Sequence, residues 1–177
     1  RKGSPDWGRG LLMKKKWIFG LCVLFSVQDA LACGMTSKLV PLSLDEGRAA
    51  VDANTDDLPA PVAVFTDIVR GIGPNHSSCD DTGLLTVVVD WPRSRYKLRD
   101  LGFEFKVVSG VTSYAIFPEG PIQAPIAGRR SDFLFMWREG GPAQQQSVDL
   151  QVEVRAVTRD NQHGPPTRIL VRAAPGA

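Results

Sequence analysis

The sequence predicts an all-β protein, a seven-stranded antiparallel β-sandwich, and two observations carry this prediction. Short runs in which apolar and polar residues alternate recur through residues 59–173, which is the pattern of strands with one buried and one solvated face. Gly, Pro, Asn and Asp separate these runs, and none of them has the period of an amphipathic helix. The length of 177 residues fits one domain with additional terminal segments.

Seven runs are predicted as strands. In the most regular of them, Leu85, Val87, Val89 and Trp91 fall on one face at a period of two. The inward-facing aromatic and aliphatic side chains together provide enough apolar surface for the core of a domain of this size. In chain order, the predicted strands cover residues 61–71, 83–91, 101–108, 113–117, 132–138, 148–157 and 167–171.

The first 32 residues are predicted to lie outside the domain. Residues 13–32 begin with Met and three Lys, continue with an 11-residue apolar run and end in Ala-Leu-Ala, which is the pattern of a secretory signal peptide. The apolar run is too short to cross a bilayer of about 30 Å as a helix. Residues 1–12, which precede the Met, are interpreted as an upstream reading-frame artefact or a tag.

Cleavage after this signal would make Cys33 the first mature residue and would leave Cys79 as the other cysteine. In the oxidising compartment that a signal peptide implies, we expect these two to form a disulfide, with two free thiols as the alternative. A lipid anchor on Cys33 is the less favoured reading, because the Ala-Leu-Ala before it departs from the usual lipoprotein box.

The charge balance of the exported part excludes an electrostatic case for nucleic-acid binding. Six of the 21 basic and two of the 19 acidic residues lie in residues 1–32, which leaves 15 against 17 and a net charge of about −2. Residues 33–58 have weak periodicity and many small or acidic residues, and we expect an extended, partly mobile leader there. Residues 174–177 are a short tail.

Three segments resemble parts of a fibronectin type III domain, a member of the immunoglobulin-like class. Residues 85–92 (LTVVVDWP) are similar to its B strand, residues 103–107 (FEFKV) to its C strand, and residues 152–171 to its F strand, F–G turn and G strand. The resemblance covers roughly residues 59–172 and implies an Ig-like sandwich. One departure is Leu150, which takes the place of the Tyr whose hydroxyl pins the corner before the F strand in such sandwiches.

A basic cluster lies in the predicted B–C loop, at one end of the sandwich, where Ig-like domains place binding loops. Its cations and its tyrosine could contact an anionic glycan, a lipid headgroup or an acidic protein, and the alternative is a solvated loop whose charges maintain solubility. The candidate binding residues are Arg93, Arg95, Tyr96, Lys97 and Arg99.

The sequence predicts no catalytic residues, no metal ligands and no cofactor. It contains only two His and three Cys, and neither G-x-S-x-G nor H-E-x-x-H occurs. The resemblance implies a non-catalytic binding or structural module, secreted or periplasmic, whose partner is an unidentified protein or glycan. An accessory subunit of an envelope enzyme and a small metal-binding envelope protein are the alternatives.

Overall fold

The alternating runs of the sequence form strands in the computed structural model, and the protein is all-β as predicted. All described residues belong to one unit, Leu31–Ala177, while a first unit, Arg1–Ala30, lies outside them. The predicted signal peptide and the residues before it therefore remain predictions. The structure describes residues 37–54, 56–73, 79–125 and 128–176.

Ten strands occur in this part of the chain. Two single-turn 3-10 helices, Leu98–Asp100 and Pro142–Gln144, interrupt the loops, and no helix among the described residues is long and apolar enough to span a membrane. The strands are β1 Val40–Pro41, β2 Val51–Asp52, β3 Val62–Val69, β4 Thr82–Asp90, β5 Gly102–Gly110, β6 Ile122–Gln123, β7 Arg130–Arg138, β8 Val148–Val157, β9 Gln162–His163 and β10 Thr167–Ala173.

The strands form two sheets. The smaller sheet has the order β3-β4-β7, and the larger one has the order β1-β6-β5-β8-β9-β2, with β10 also paired to β8. All pairings are antiparallel except that of β2 with β9. β4 ends at Asp90, beside the first residue of β7, and the loop that follows leads to the start of β5. The connections between strands therefore lie at two opposite ends of the sheets.

One hydrophobic core joins the two sheets. Phe105 of β5 lies with its ring centroid 5.1 Å from that of Phe133 and 4.9 Å from that of Phe135, both on β7. Trp91, which follows β4, is 3% exposed and packs edge-on against Phe103 of β5 at 6.0 Å. The prediction that Trp91 belongs to the core, on the face that β4 buries, is confirmed.

The segment predicted as an extended leader is attached to the domain at several points. β1 pairs with β6 and β2 pairs with β9, so the leader adds short strands to the larger sheet. Leu42 is buried against Gly102, where a Cβ atom would lie 2.8 Å from the leucine side chain. Leu58 is fully buried in the common core. Burial of these two leucines, which the weak periodicity did not reveal, holds the leader in place.

The predicted strand at 113–117 is wrong. The chain leaves β5 at Gly110 and returns through bends, and it pairs again only at β6, residues 122–123. Ile116 is buried, and the ring of Phe117 stacks on Phe105 at 6.0 Å. The alternation of apolar residues at 113–117 therefore results from burial against the core and not from pairing in a sheet. The described residues contain ten strands where the sequence predicted seven.

A buried ion pair closes one end of the domain. Arg70, after β3, donates from Nε to Oε1 of Glu139 at 2.7 Å, and both side chains are fully buried. The remaining arginine nitrogens donate to the carbonyl oxygens of Ala174 and Gln146 at 3.0 and 2.7 Å. Glu139 also accepts from the indole of Trp137. This network ties the ends of β3, β7 and β10 to one another.

A tyrosine from the segment after β5 holds the corner between β7 and β8. The hydroxyl of Tyr114 accepts a hydrogen bond from the backbone N–H of Gln146 at 3.1 Å. Leu150 is fully buried in β8, as its place in the alternation requires. Gln145 adds hydrogen bonds to the carbonyl oxygens of Gly71 and Gly140.

Candidate binding surface

Six cations and two acids meet at the end of the domain opposite the buried ion pair. We call this surface the basic end and define it by the connections 91–101, 124–129 and 158–166, which carry six Lys or Arg and two Asp. The connections at the other end, 70–81, 111–121 and 139–147, carry one Arg and four acidic residues. The connections at the two ends thus differ in the sign of their net charge.

Buried apolar anchors hold the loop that carries the candidate binding residues. Trp91, Leu98 and Leu101 are at most 3% exposed and belong to the core. The cations between them point outward, because the loop alternates anchors with exposed positions. A loop fixed in this way presents its charges with less loss of conformational entropy on binding than a loose one.

The indole of Trp91 fixes the shape of the loop. Its Nε1 donates to the carbonyl oxygen of Tyr96 at 2.9 Å and to Oγ of Ser94 at 3.2 Å. The backbone N–H of Tyr96 in turn donates to the same hydroxyl at 3.2 Å. One core residue therefore supplies both the apolar anchor and the hydrogen bond that closes the turn.

Arg95 is held against Tyr96. Its Nη2 donates to the tyrosine hydroxyl at 2.7 Å, and its guanidinium carbon lies 4.8 Å from the centroid of the ring. Asp57 of the leader lies 3.4 Å from its Nη1, with both side chains exposed. The hydrogen bond to Tyr96, followed by the nearby carboxylates of Asp57 and Asp160, raises the pKa of Arg95 above its ordinary value. The leader thus neutralises part of the loop.

Three of the candidate cations have a weak ion pair or none among the described residues. Arg93 and Lys97 are exposed, and neither has an ion-pair partner among the residues that the structure describes. Arg99 is paired only with the neighbouring Asp100, at 3.8 Å and with both side chains more than half exposed. Ion pairs of this kind contribute little, so these three charges are open to a partner.

Arg129 extends the cluster from the adjacent connection. Its Nε and Nη2 donate to the carbonyl oxygen of Trp91 at 3.3 and 3.0 Å, while the N–H of Trp91 donates back to the carbonyl oxygen of Arg129. Arg130 begins β7 and lies near the carboxylates of Asp90 and Asp132 at 3.9 and 3.8 Å. Arg129 therefore belongs to the basic end as a positioned group, and Arg130 lies beyond these connections, at the start of β7, with two carboxylates near it.

A third element of the basic end is the tight turn after β8. Asn161 adopts a positive φ of 62°, which asparagine tolerates. Its side chain donates to the carbonyl oxygen of Arg48 in the leader at 2.9 Å. Asp160 accepts from Oγ1 of Thr158, and this hydrogen bond holds the pKa of Asp160 below its ordinary value. The carboxylate therefore remains charged and limits the positive potential on this side.

Several predicted chemical features fall outside the described residues. Cys33 lies there, so its bridge to Cys79 and its alternative lipidation both remain predictions, while Cys79 itself makes an interaction and is not a free group. His76, next to Cys79 in the sequence, is also outside. Among the described residues, no group of three or more His, Cys, Asp or Glu is placed to hold a metal ion.

No protein-family model matches the sequence, and no curated protein matches it significantly.

Proposed function

We propose that this protein is an exported, non-catalytic binding module that resembles fibronectin type III domains and binds an anionic partner, a protein or a glycan, through its basic end. The observation that carries the proposal is the set of exposed cations Arg93, Lys97 and Arg99, presented on a loop whose backbone is fixed from the core. Export to the periplasm or the extracellular space follows from the signal peptide that we read in residues 13–32.

The order of the strands supports the finer assignment to the immunoglobulin-like class. β4 lies between β3 and β7, and β8 lies between β5 and β10. In Ig-like sandwiches the B strand likewise lies with A and E, and the C, F and G strands lie together in the facing sheet. On this alignment, the loop 91–101 is the B–C loop and the segment 158–166 the F–G turn, which are binding positions in such domains.

The test compares two triple variants of equal net charge. Arg93, Lys97 and Arg99 are changed to Ala in one, and Arg138, Arg168 and Arg172 in the other; the second set is more than 60% exposed and lies on other surfaces. Binding to heparin and to poly-L-glutamate is measured by calorimetry at low and physiological salt. We expect the first variant to lose at least tenfold in affinity for one of these polyanions, and the control less than threefold.

The two probes separate the two sources of anionic charge. A preference for the sulfated polysaccharide supports a glycan partner, and a preference for the polypeptide supports an acidic protein. Affinity of the unmodified protein should fall steeply as salt is raised, because exposed charges are screened within about 10 Å at 0.1 M salt. Equal losses in the two triple variants would show that only net charge matters, and the proposal would then be wrong.

A further inference from the structure

The larger sheet contains a gap beside β5, at a surface separate from the basic end. β5 and β6 pair as a hairpin only at Gly102–Gln123 and Phe103–Ile122. β5 then continues as a strand to Gly110, whereas the returning segment 111–121 turns away from it. The place of the next strand in the sheet is therefore vacated along residues 104–108.

Within residues 37–54, 56–73, 79–125 and 128–176, the edge of β5 along this gap has no backbone partner. On its other side β5 pairs with β8 along its whole length, with one irregularity between Val107 and Ser109. Among the described residues, no backbone hydrogen bond joins residues 104–108 to the segment 111–121. Since alternate residues of a strand direct their N–H and C=O groups to opposite sides, about half of these groups face the gap. An unpaired edge of this kind is a template for another strand.

The gap is a groove and not a flat surface. Its volume is about 370 Å³, and the returning segment forms its second wall. The side chains of Ile116 and Phe117 fill the space towards the core below it. Val107 lines the groove and is 38% exposed, and Val108 and Val111, which follow it in the chain, are 40% and 89% exposed. An extended chain placed here would cover apolar side chains that no part of the described structure covers.

The charges along the edge define what such a strand should carry. Glu104 and Lys106 lie on the outer face of β5, and Glu119 lines the opposite wall. The carboxylate of Glu104 also lies 3.8 Å from Nε of Arg155 and from Nδ1 of His163, so Lys106 is the main determinant of charge preference. On the inner side the neighbours are Phe105 and Val107. An antiparallel strand would therefore favour apolar residues opposite Phe105 and Val107, an acidic residue opposite Lys106, and a basic residue opposite Glu104.

We infer that the groove beside residues 104–108 is a second binding site, which takes an extended peptide segment of a partner protein by strand addition to the β5 edge. Main-chain hydrogen bonds supply the affinity, and the alternation of apolar and charged side chains supplies the selectivity. The site shares no residue with the connections that define the basic end, and within the described residues its one polar contact with them is that of Glu104 with His163 at 3.8 Å.

The experiment uses the synthetic peptide acetyl-TVEVK-amide, whose residues lie opposite Val108 to Glu104 in the antiparallel orientation. Hydrogen exchange is followed residue by residue in the exported chain, with and without the peptide at millimolar concentration. In the free protein, we expect alternate amides of residues 104–108 to exchange at least tenfold faster than those of the paired stretch of β8. The peptide should slow their exchange.

Peptide controls separate strand addition from apolar adhesion. Acetyl-TVKVE-amide has the same composition with the charges exchanged, and it should bind at least fivefold more weakly. Of two analogues that are N-methylated on alternate amides, the one that blocks the β5-facing groups should lose binding tenfold or more. The Lys106→Glu variant should reduce the preference between the two charge patterns, and Arg172→Glu, on the far strand β10, should not.

Three outcomes would overturn the inference. The first is protection of the alternate amides of 104–108 in the free protein, which would mean that the returning segment already closes the groove. The second is equal binding of all the peptides, and the third is no binding at millimolar concentration. The basic-end triple variant should bind the peptide normally, so failure of this site and failure of the polyanion site are distinguishable.

Discussion

Arginine has opposite roles at the two ends of this domain. Arg70 is fully buried, and every nitrogen of its guanidinium group is engaged by Glu139 or by a backbone carbonyl oxygen. Arg93 and Arg99, at the other end, are exposed and weakly paired or unpaired within the described residues. The same side chain thus closes the fold at one end and is free for a partner at the other, and the difference lies in the acceptors that each end provides.

The comparison teaches that the charge of a loop does not by itself mark a binding surface. At the end with the buried ion pair, the connections 70–81, 111–121 and 139–147 contain one arginine, Arg70, and its guanidinium group is paired with Glu139 inside the domain. At the basic end, the anchors are an indole and two leucines, which leave Arg93, Lys97 and Arg99 exposed and weakly paired or unpaired within the described residues. The predictions below test whether stability and binding separate in the same way.

The largest effect is expected at Arg70. Replacing it with Met leaves Glu139 as an uncompensated buried charge, and the free energy of unfolding should fall by about 3–5 kcal/mol. Adding Glu139→Leu should restore only part of this loss, because the indole of Trp137 and the N–H of Gly71 then lack their acceptor. Urea unfolding of the two single variants and the double variant gives the coupling energy. Additive losses would contradict a paired role.

The two tryptophans provide a matched pair, one at each end. Trp137→Phe removes a hydrogen bond to the buried carboxylate of Glu139 and should reduce the free energy of unfolding by about 2–3 kcal/mol. Trp91→Phe removes a neutral hydrogen bond to the backbone of Tyr96, and about 1–2 kcal/mol should be lost.

The order of the two substitutions should be reversed for binding, where Trp91→Phe should have the larger effect. Trp91→Phe should weaken heparin or polyglutamate binding several-fold, since the turn that presents the cations is no longer closed. Trp137→Phe should leave the affinity unchanged in the folded fraction. Calorimetry at a temperature where both variants are folded makes the comparison, and equal affinities would mean that the indole hydrogen bond does not position the loop.

The sequence was sufficient for the strands whose alternation is long. β4, β5, β7 and β8 lie close to their predicted positions, because each buries apolar side chains at alternate positions. It was insufficient where a segment is buried without pairing in a sheet. Residues 113–117 are apolar at alternate positions, but they pack against the side of the core and form no strand. It also did not reveal the partnership of Arg70 with Glu139, because 69 residues separate them and each lies in a polar loop.

The candidate cations could be found from the sequence because they are neighbours on one loop. The sequence could not show which of these cations are paired within the domain and which are not. Asp57, which neutralises part of Arg95, comes from the leader and is brought near only by burial of the adjacent Leu58. The groove beside β5 left no signal either, because it results from a hairpin that opens after two residue pairs.

A smaller effect is expected from the outer face of the larger sheet, away from both ends. Arg168, and to a lesser degree Arg155, hold the pKa of Glu153 below its ordinary value. The charged form is thus favoured in the folded state, so its contribution to stability is present above a pH of about 4.5 and is lost as the pH falls through the lowered pKa. Glu153→Gln should be less stable at pH 7, and its urea midpoint should converge with that of the unmodified protein as the pH falls through the lowered pKa of Glu153. A constant difference across this range would contradict the ion-pair explanation.

The smallest effect on stability is expected at Arg95, and it is the most direct test of the comparison between the ends. Its side chain is exposed, and its contacts with Tyr96 and Asp57 lie on the surface. Arg95→Ala should therefore leave the urea midpoint unchanged, in contrast to Arg70→Met.

Because the carboxylate of Asp57 already neutralises part of the charge of Arg95, removal of the Arg95 side chain should weaken polyanion binding less than removal of Arg93 or Lys97. Asp57→Asn should strengthen binding at low salt by releasing the cation, and the gain should disappear when Arg95 is also replaced. A midpoint that falls with Arg95→Ala as far as with Arg70→Met would show that arginine is structural at both ends, and the basic end would then have no special claim to a partner.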